Sequence, residues 1–282
     1  MRQNPTARKN LSLKPPSRLA RSDGAVNDGS AKSGVTLKGV TKSFGNVRAI
    51  SSIDLQISTH TSVGIVGPSG GGKSTLLLMV AGLLEPDAGT IHVDGATTRS
   101  DRLRRCAMMP QRDLLLPWRT ALDNASIALQ NRGVSRREAR KQVQPLFEHF
   151  GLSKFEEARP SQLSGGMRQR VSFLRTLIAG KDVLLLDEPF GALDSITRGQ
   201  MQEWLLFAMN EEPRTVLLVT HDVEEALLLT QRVIVLSHRP GHIVRDLDVN
   251  YPRQGSRNQR VTSPEFVAMK EQALEAIDAD SI

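Results

Sequence analysis

GPSGGGKST, Gly67 to Thr75, follows the apolar run Val63-Gly64-Ile65-Val66 and precedes Leu76-Leu77-Leu78-Met79-Val80-Ala81. Gly67, Gly72, Lys73 and Ser74 sit at the spacing G-x-x-x-x-G-K-[ST], the pattern of a loop that grips a phosphate chain. The apolar run before it suits a buried strand, and the residues after it suit a helix. The residue types follow from the chemistry. Glycines let backbone N–H groups point inward around a phosphate without Cβ clashes. The helix start adds the positive end of its dipole. Lys73 is expected to reach the β- and γ-phosphates, and Ser74 to coordinate Mg²⁺. A glycine-rich turn with a chance lysine would lack these two flanks.

The 282 residues suffice for one large α/β domain or two modest ones, and 39% hydrophobic content supports a real core. No apolar run approaches the roughly 20 residues that span a bilayer, and the N-terminal residues lack a signal-peptide apolar stretch. The expectation is a soluble, cytosolic chain unless a partner holds it elsewhere. A single cysteine, Cys106, excludes an internal disulfide and a cysteine-cluster metal site. The net charge is +7, and residues 1–33 carry seven Lys/Arg against Asp23 and Asp28, so most of the excess lies there. With Pro5, Pro15 and Pro16 this segment reads as a disordered basic tail rather than a nucleic-acid-binding arm.

Outward from the loop, Val35–Val40 and Ile53–Ile57 alternate apolar and polar residues, as an antiparallel strand pair does. Thr90–Gly95 and Arg105–Pro110 read as further strands. Residues 112–165 turn helical in pattern, with a capping box at Ser135-Arg136-Arg137-Glu138 and a stop at Gly151. A helix is expected from Leu163 to about Ala179, a buried strand at Val183–Pro189 and a helix at Ser195–Asn210. A strand at Thr215–Val219, a helix at Val223–Leu229 and a strand at Arg232–Leu236 follow. Strands alternating with helices imply a mostly parallel sheet, with ligands at the strands' C-terminal ends. The fold class is therefore α/β: a phosphate-loop core, an antiparallel β subdomain and a helical insertion. Residues 34–250 form the main domain, and 251–282 read as a polar linker and a short helix, Pro264–Ile277.

Four polar groups follow apolar strands. Asp187 is placed to hold Mg²⁺ through water. Glu188, next along, is placed to orient and deprotonate a water attacking the γ-phosphate. Gln111 could touch both metal and water, and His221 could contact the γ-phosphate. Alone, each is as readily a polar rim residue; their order around the phosphate loop gives them weight.

Taken together the motifs resemble the ATPase subunit of an ATP-binding-cassette (ABC) transporter over about residues 34–250. Gly67, Pro68, Ser69, Gly70, Gly71, Gly72, Lys73, Ser74 and Thr75 match Walker A. Met109-Pro110-Gln111 matches the Q-loop, and LSGGMRQR (163–170) the family signature. VLLLDEP (183–189) matches Walker B with its following glutamate. GALD (191–194) matches the D-loop, and Thr220-His221 the switch histidine. Ordinary phosphate-loop proteins lack the signature, which makes the resemblance specific. Phe44 stands where the family places an aromatic that stacks on adenine, although an aromatic at a strand end is usually core.

The resemblance implies ATP and Mg²⁺ as ligands and a head-to-tail homodimer with two ATP molecules in its interface. Ser164, Gly165 and Gly166 would bind the γ-phosphate held by the other subunit's loop; two glycines at a helix start fit a second anion-binding terminus. Asp194 would communicate across that interface. It also implies a separate membrane permease, an extracytoplasmic solute-binding protein acting indirectly, no nucleic acid, and a peripheral position on the cytoplasmic face of the inner membrane. QRDLLLPWRTALDN (111–124) and LLLDEPFGALDSITRGQMQ (184–202) look like the nitrate/sulfonate/taurine importer branch, which includes pyrimidine-precursor importers. Leu114-Leu115-Leu116-Pro117-Trp118 is a candidate permease-docking surface; burial of the leucines is the competing reading, and Trp118 is the better exposed anchor. Rival functions are a soluble ABC ATPase outside transport and a nucleotide-dependent regulator that does not hydrolyse.

Overall fold

A computed structural model describes residues 33–251 and 253–279. The basic N-terminal tail lies outside the described residues. In chain order the elements are β1 (Ser33–Phe44), β2 (Val47–Ser58), β3 (Ser62–Val66), α1 (Lys73–Val80), β4 (Ala88–Val93), α2 (Arg99–Arg105), β5 (Cys106–Met109), α3 (Ala121–Gln130) and α4 (Arg136–His149). After them come α5 (Gly165–Ile178), β6 (Val183–Asp187), α6 (Ser195–Glu211), β7 (Thr215–Val219), α7 (Val223–Leu229), β8 (Arg232–Leu236), β9 (Ile243–Asp248), α8 (Arg257–Val261) and α9 (Pro264–Ala279).

Two sheets organise them. One is antiparallel, in the order β2-β1-β4; the other has six strands in the order β5-β6-β7-β3-β8-β9. All neighbours in the second are parallel except β8 and β9. Its inner strands are buried along their whole length, which explains their unbroken aliphatic runs. Their side chains divide by the two-residue period of a strand. Val63, Ile65, Val183, Leu185, Leu217 and Val219 face the antiparallel sheet and α1. Val66, Leu184, Leu186, Val216 and Leu218 face the opposite core, shared with α5, α6, α7 and the helices after β5. In that second core Phe173 meets Phe190 at 5.6 Å and Trp204 at 6.2 Å between ring centroids, and Phe150 meets Trp204 at 4.6 Å.

The structure departs from the sequence reading in four places. Ser135 caps α4 by accepting the Glu138 N–H at 3.3 Å, but Glu138 does not reach back; its carboxylate takes Gln142 Nε2 at 3.1 Å instead. The expected capping box is thus half made. Helix α2, capped by Thr98, was not foreseen. Neither was β9, a half-exposed strand held by antiparallel pairing to β8. The stretch read as a polar linker after Tyr251 instead carries α8 and docks: Tyr251, Phe266 and Ala273 are core residues, and Tyr251 packs edge-on against Phe266 at 5.1 Å. Arg257 and Lys270 reach Glu224 on α7 at 2.7 and 3.2 Å, and Arg260 pairs with Glu203 on α6.

Residues 121–149 form α3 and α4, tied by a buried charge. Burial opposes ionisation of Asp123, yet hydrogen bonds from Arg136 and Arg140 overcome it and hold the carboxyl at about 2. Among the described residues no helix is long and apolar enough to cross a membrane.

Candidate functional site

The order β5-β6-β7-β3 places four C-terminal strand ends side by side. They carry, in turn, Gln111, Asp187 with Glu188, His221 and the phosphate loop.

The loop's shape is set by close approaches. Gly67 has φ +147, and a Cβ there would lie 2.3 Å from the Leu236 carbonyl oxygen. Gly72 has φ +85, and a Cβ would lie 2.3 Å from Ile50 Cδ1. Both positions therefore demand glycine. Gly72 is also the N-cap of α1 and supplies no side-chain cap. Helices α2 to α8 differ: each starts at a Thr, Ser or Asp whose side chain accepts a backbone N–H. The first-turn N–H groups of α1 are thus left available, as an anion site needs.

Lys73 is buried, and its ammonium donates to the carbonyls of Gly67 at 2.8 Å and Pro68 at 2.7 Å. Burial pushes its pKa down, while the charges of Glu188 and Asp187 oppose the shift. Ser74 Oγ donates to Asp187 Oδ1 at 3.1 Å. Burial raises the Asp187 pKa; the Ser74 hydrogen bond lowers it, Glu188 raises it further and Lys73 lowers it. A divalent cation and a polyphosphate would supply the countercharges this desolvated pair calls for. Ser74 and Asp187 are hard oxygen donors already in contact, which fits Mg²⁺, a metal that takes few protein ligands and completes its shell with phosphate and water.

Glu188 is the point of convergence. Its Oε2 accepts Gln111 Nε2 at 3.2 Å, and its Oε1 lies 3.3 Å from His221 Nδ1. Its backbone has φ +47, a left-handed conformation uncommon outside glycine, and its N–H donates to the Val219 carbonyl at 2.8 Å. The sequence-derived set Gln111, Asp187, Glu188, His221 and Ser74 is therefore contiguous.

Phe44 ends β1 opposite Val47, and both are exposed, Phe44 at 50%. The aromatic is not core. Lys42 Nζ lies 5.8 Å from its ring centre. Further along the same hairpin, Ala49 and Ile50 lie against Gly72 of the phosphate loop.

Ser164, Gly165 and Gly166 open α5, with Ser164 Oγ accepting the Met167 N–H at 3.2 Å. Among the described residues no hydrogen bond joins these three to the phosphate loop. Gly166 lies instead beside residues 192–193. Asp194 caps α6 by accepting the Thr197 N–H at 3.0 Å.

Two buried groups escaped the sequence reading. Gln169, within the signature, contacts Glu188 and Ala192 through its side-chain amide. Glu225, four residues past His221, accepts Gln202 Nε2 at 3.2 Å and is hydrogen-bonded by Thr220. Burial lifts its carboxyl to about 7, against the hydrogen bonds of Thr220 and Gln202 and with help from Asp222. A carboxylate one helical turn beyond a strand-end histidine was the available signal.

The sequence profile described as ABC transporter matches residues 50–191. The chain is 43% identical over 244 residues, 86% of its length and 93% of the relative's, to the aliphatic sulfonates import ATP-binding protein SsuB 1 of Rhodococcus jostii (strain RHA1). It is 40% identical over 230 residues, 80% of its length and 87% of the relative's, to the taurine import ATP-binding protein TauB of Rhizobium johnstonii (strain DSM 114642 / LMG 32736 / 3841). Against the nitrate import ATP-binding protein NrtD of Synechocystis sp. (strain ATCC 27184 / PCC 6803 / Kazusa) the identity is 45% over 208 residues, 74% of this chain and 78% of that one. Among solved structures, the dimeric post-hydrolysis state of the ATP-binding cassette MJ0796 bound to ADP and Pi matches 77% of this chain and 100% of its own, at 31% identity and a TM-score of 0.71. The chain belongs to the ABC transporter family of ATPases, in the branch whose members include the sulfonate, taurine and nitrate import ATP-binding proteins it resembles.

Proposed function

We propose that two copies of this chain close head to tail on two ATP molecules and thereby drive a separate membrane permease that imports a small anionic or zwitterionic solute of the sulfonate, taurine or nitrate kind. The observation that carries the catalytic part is the convergence of Gln111 and His221 on the Glu188 carboxylate, beside the Ser74–Asp187 pair.

In this reading the backbone N–H groups of residues 69–75 and the Lys73 ammonium hold the β- and γ-phosphates. Lys73 gives up its bonds to the Gly67 and Pro68 carbonyls to do so. Glu188 takes a proton from a water aligned behind the γ-phosphate. The water oxygen bonds to the γ-phosphorus as the bond to the β–γ bridging oxygen breaks, yielding ADP and inorganic phosphate. His221 and Gln111 hold the carboxylate and hydrogen-bond the attacking water and the γ-phosphoryl oxygens. Mg²⁺, held by Ser74 and Asp187 with Gln111 nearby, would neutralise charge building on the phosphates. Phe44 stacks on the adenine. Ser164, Gly165 and Gly166 cover the γ-phosphate of the opposite chain.

Relatives named as import ATP-binding proteins and a dimeric structural neighbour support the assembly. Leu114 and Trp118, 62% and 70% exposed, support a docking surface for the permease at the cytoplasmic face of the inner membrane, while Leu115 is buried and Leu116 half-buried. A solute-binding protein outside the membrane would act through the permease. The test is to measure turnover of the chain with its permease, for wild type and Glu188→Gln. Loss of at least a hundredfold in kcat with ATP binding retained is expected. Turnover preserved in the variant would remove Glu188 from its role, and a wild type that binds ATP without ever hydrolysing it would favour a nucleotide-dependent regulator.

A further inference from the structure

We infer that Gln169 is a positioning residue: it links the first turns of α5 to the backbone of Glu188, so that the helix start serving one ATP site sets the aim of the glutamate serving the other. This rests on the reading of Glu188 as the base and of the α5 start as the cover of the opposite chain's γ-phosphate.

Gln169 is 6% exposed, and both ends of its amide are used. Its Nε2 donates to the Glu188 carbonyl at 3.0 Å, and its Oε1 accepts the Ala192 N–H at 2.9 Å. One side chain thus spans the turn Glu188-Pro189-Phe190-Gly191-Ala192 from first residue to last. The position it grips is sensitive. Glu188 is in a left-handed conformation with φ +47, and its side-chain direction depends on keeping its flanking peptides where they are. On the other side its N–H is fixed by the Val219 carbonyl of β7, two residues before His221. The Glu188 peptides are therefore held between the histidine strand and the signature helix.

The same helix touches the turn a second time. Gly166 lies three residues before Gln169, on the same face of α5. A Cβ at Gly166 would be 3.3 Å from Leu193 Cδ2 and 3.5 Å from the Ala192 carbonyl oxygen. A phosphate binding at the α5 N-terminus would press on a helix whose next turn is hydrogen-bonded to Glu188. No other side chain among the described residues hydrogen-bonds the Glu188 carbonyl.

The two ends of the amide can be separated. Gln169→Glu keeps the volume and the acceptor for Ala192 but removes the donor to Glu188. Measured on the full chain with its permease, it is expected to lower kcat at least tenfold, leave the KM for ATP within twofold, and reduce the Hill coefficient for ATP toward one. The buried carboxylate is expected to lower the melting temperature, while ATP-dependent dimerisation in a Glu188→Gln background is expected to match the control. Should Gln169→Glu be unstable, Gln169→Met, which fills the space without hydrogen bonds, decides by the same readings. Wild-type kcat and Hill coefficient in a folded variant would overturn the inference, as would a loss confined to stability or to KM. Glu188→Gln run alongside separates the two ideas: if it still turns over, the reading of the base fails, whereas a dead Glu188→Gln with a normal Gln169→Glu sinks the linkage alone.

Discussion

At the residue scale the site is a set of desolvated charges that answer one another. Burial disfavours the charge on Lys73 while Glu188 and Asp187 favour it, and burial and Glu188 disfavour the charge on Asp187 while Ser74 and Lys73 favour it, a balance suited to phosphate and a hard cation. Lys73→Ala is expected to weaken ATP binding at least tenfold in equilibrium titration, with the melting temperature little changed. Glu225 has a different consequence. Its carboxyl titrates near 7 in the folded chain against an ordinary value near 4.5, so the folded state keeps a proton that the unfolded state gives up. Stability contributed by that proton is complete below the unfolded value and is lost as pH rises through the folded one. Glu225→Gln should therefore gain relative stability between pH 5 and pH 8, by up to about 3 kcal/mol, read as a growing difference in denaturation midpoints. A constant difference across that range would refute the assignment. Motif residues were legible because phosphate chemistry fixes their spacing. Gln169 and Glu225 were not, since their roles depend on partners about twenty residues away that meet only in the fold.

At the scale of elements, the strands of the central sheet were legible because burial on both faces forces aliphatic runs, and α4 because Ser135 caps it. What escaped was short or edge-placed. Strand β9 alternates too weakly to announce itself and is defined by pairing with β8. Helix α2, RSDRLRR, is polar but for Leu103, and α8 has five residues, so neither shows an apolar periodicity. Yet the C-terminal elements bear on the site, because they hold α7, which starts just after His221. Tyr251 Oη donates to the Leu227 carbonyl at 3.2 Å, Arg253 reaches the Leu228 and Thr230 carbonyls, and Arg257 and Lys270 reach Glu224. Phe266, fully buried beneath Tyr251, pins α9 in place. Phe266→Ala is expected to cost about 3–5 kcal/mol in guanidinium unfolding and to raise hydrogen exchange in α7 ahead of α1. Exchange rising equally in both helices would contradict a local clamp.

At the scale of the molecule, the described surface carries the marks of partners. Among the described residues no hydrogen bond joins the one phosphate loop to the one signature start, which suits a site completed by a second copy. Leu114 and Trp118 project from the segment between Gln111 and α3, and Arg175 on α5 grips the Asp113 and Leu114 carbonyls at 2.7 and 2.9 Å. A permease seated there would feel movement of the signature helix. Trp118→Ala should leave basal ATPase within about twofold while abolishing its stimulation by the permease in reconstituted vesicles; unchanged stimulation would move the docking surface elsewhere. The central claim is that ATP is hydrolysed between two chains with Glu188 as the base. Its most direct test is the mass of the Glu188→Gln chain in solution, by light scattering, with and without ATP and Mg²⁺. A monomer is expected without nucleotide and a stable dimer with ATP; a chain that stays monomeric while saturated with ATP would contradict hydrolysis between two chains.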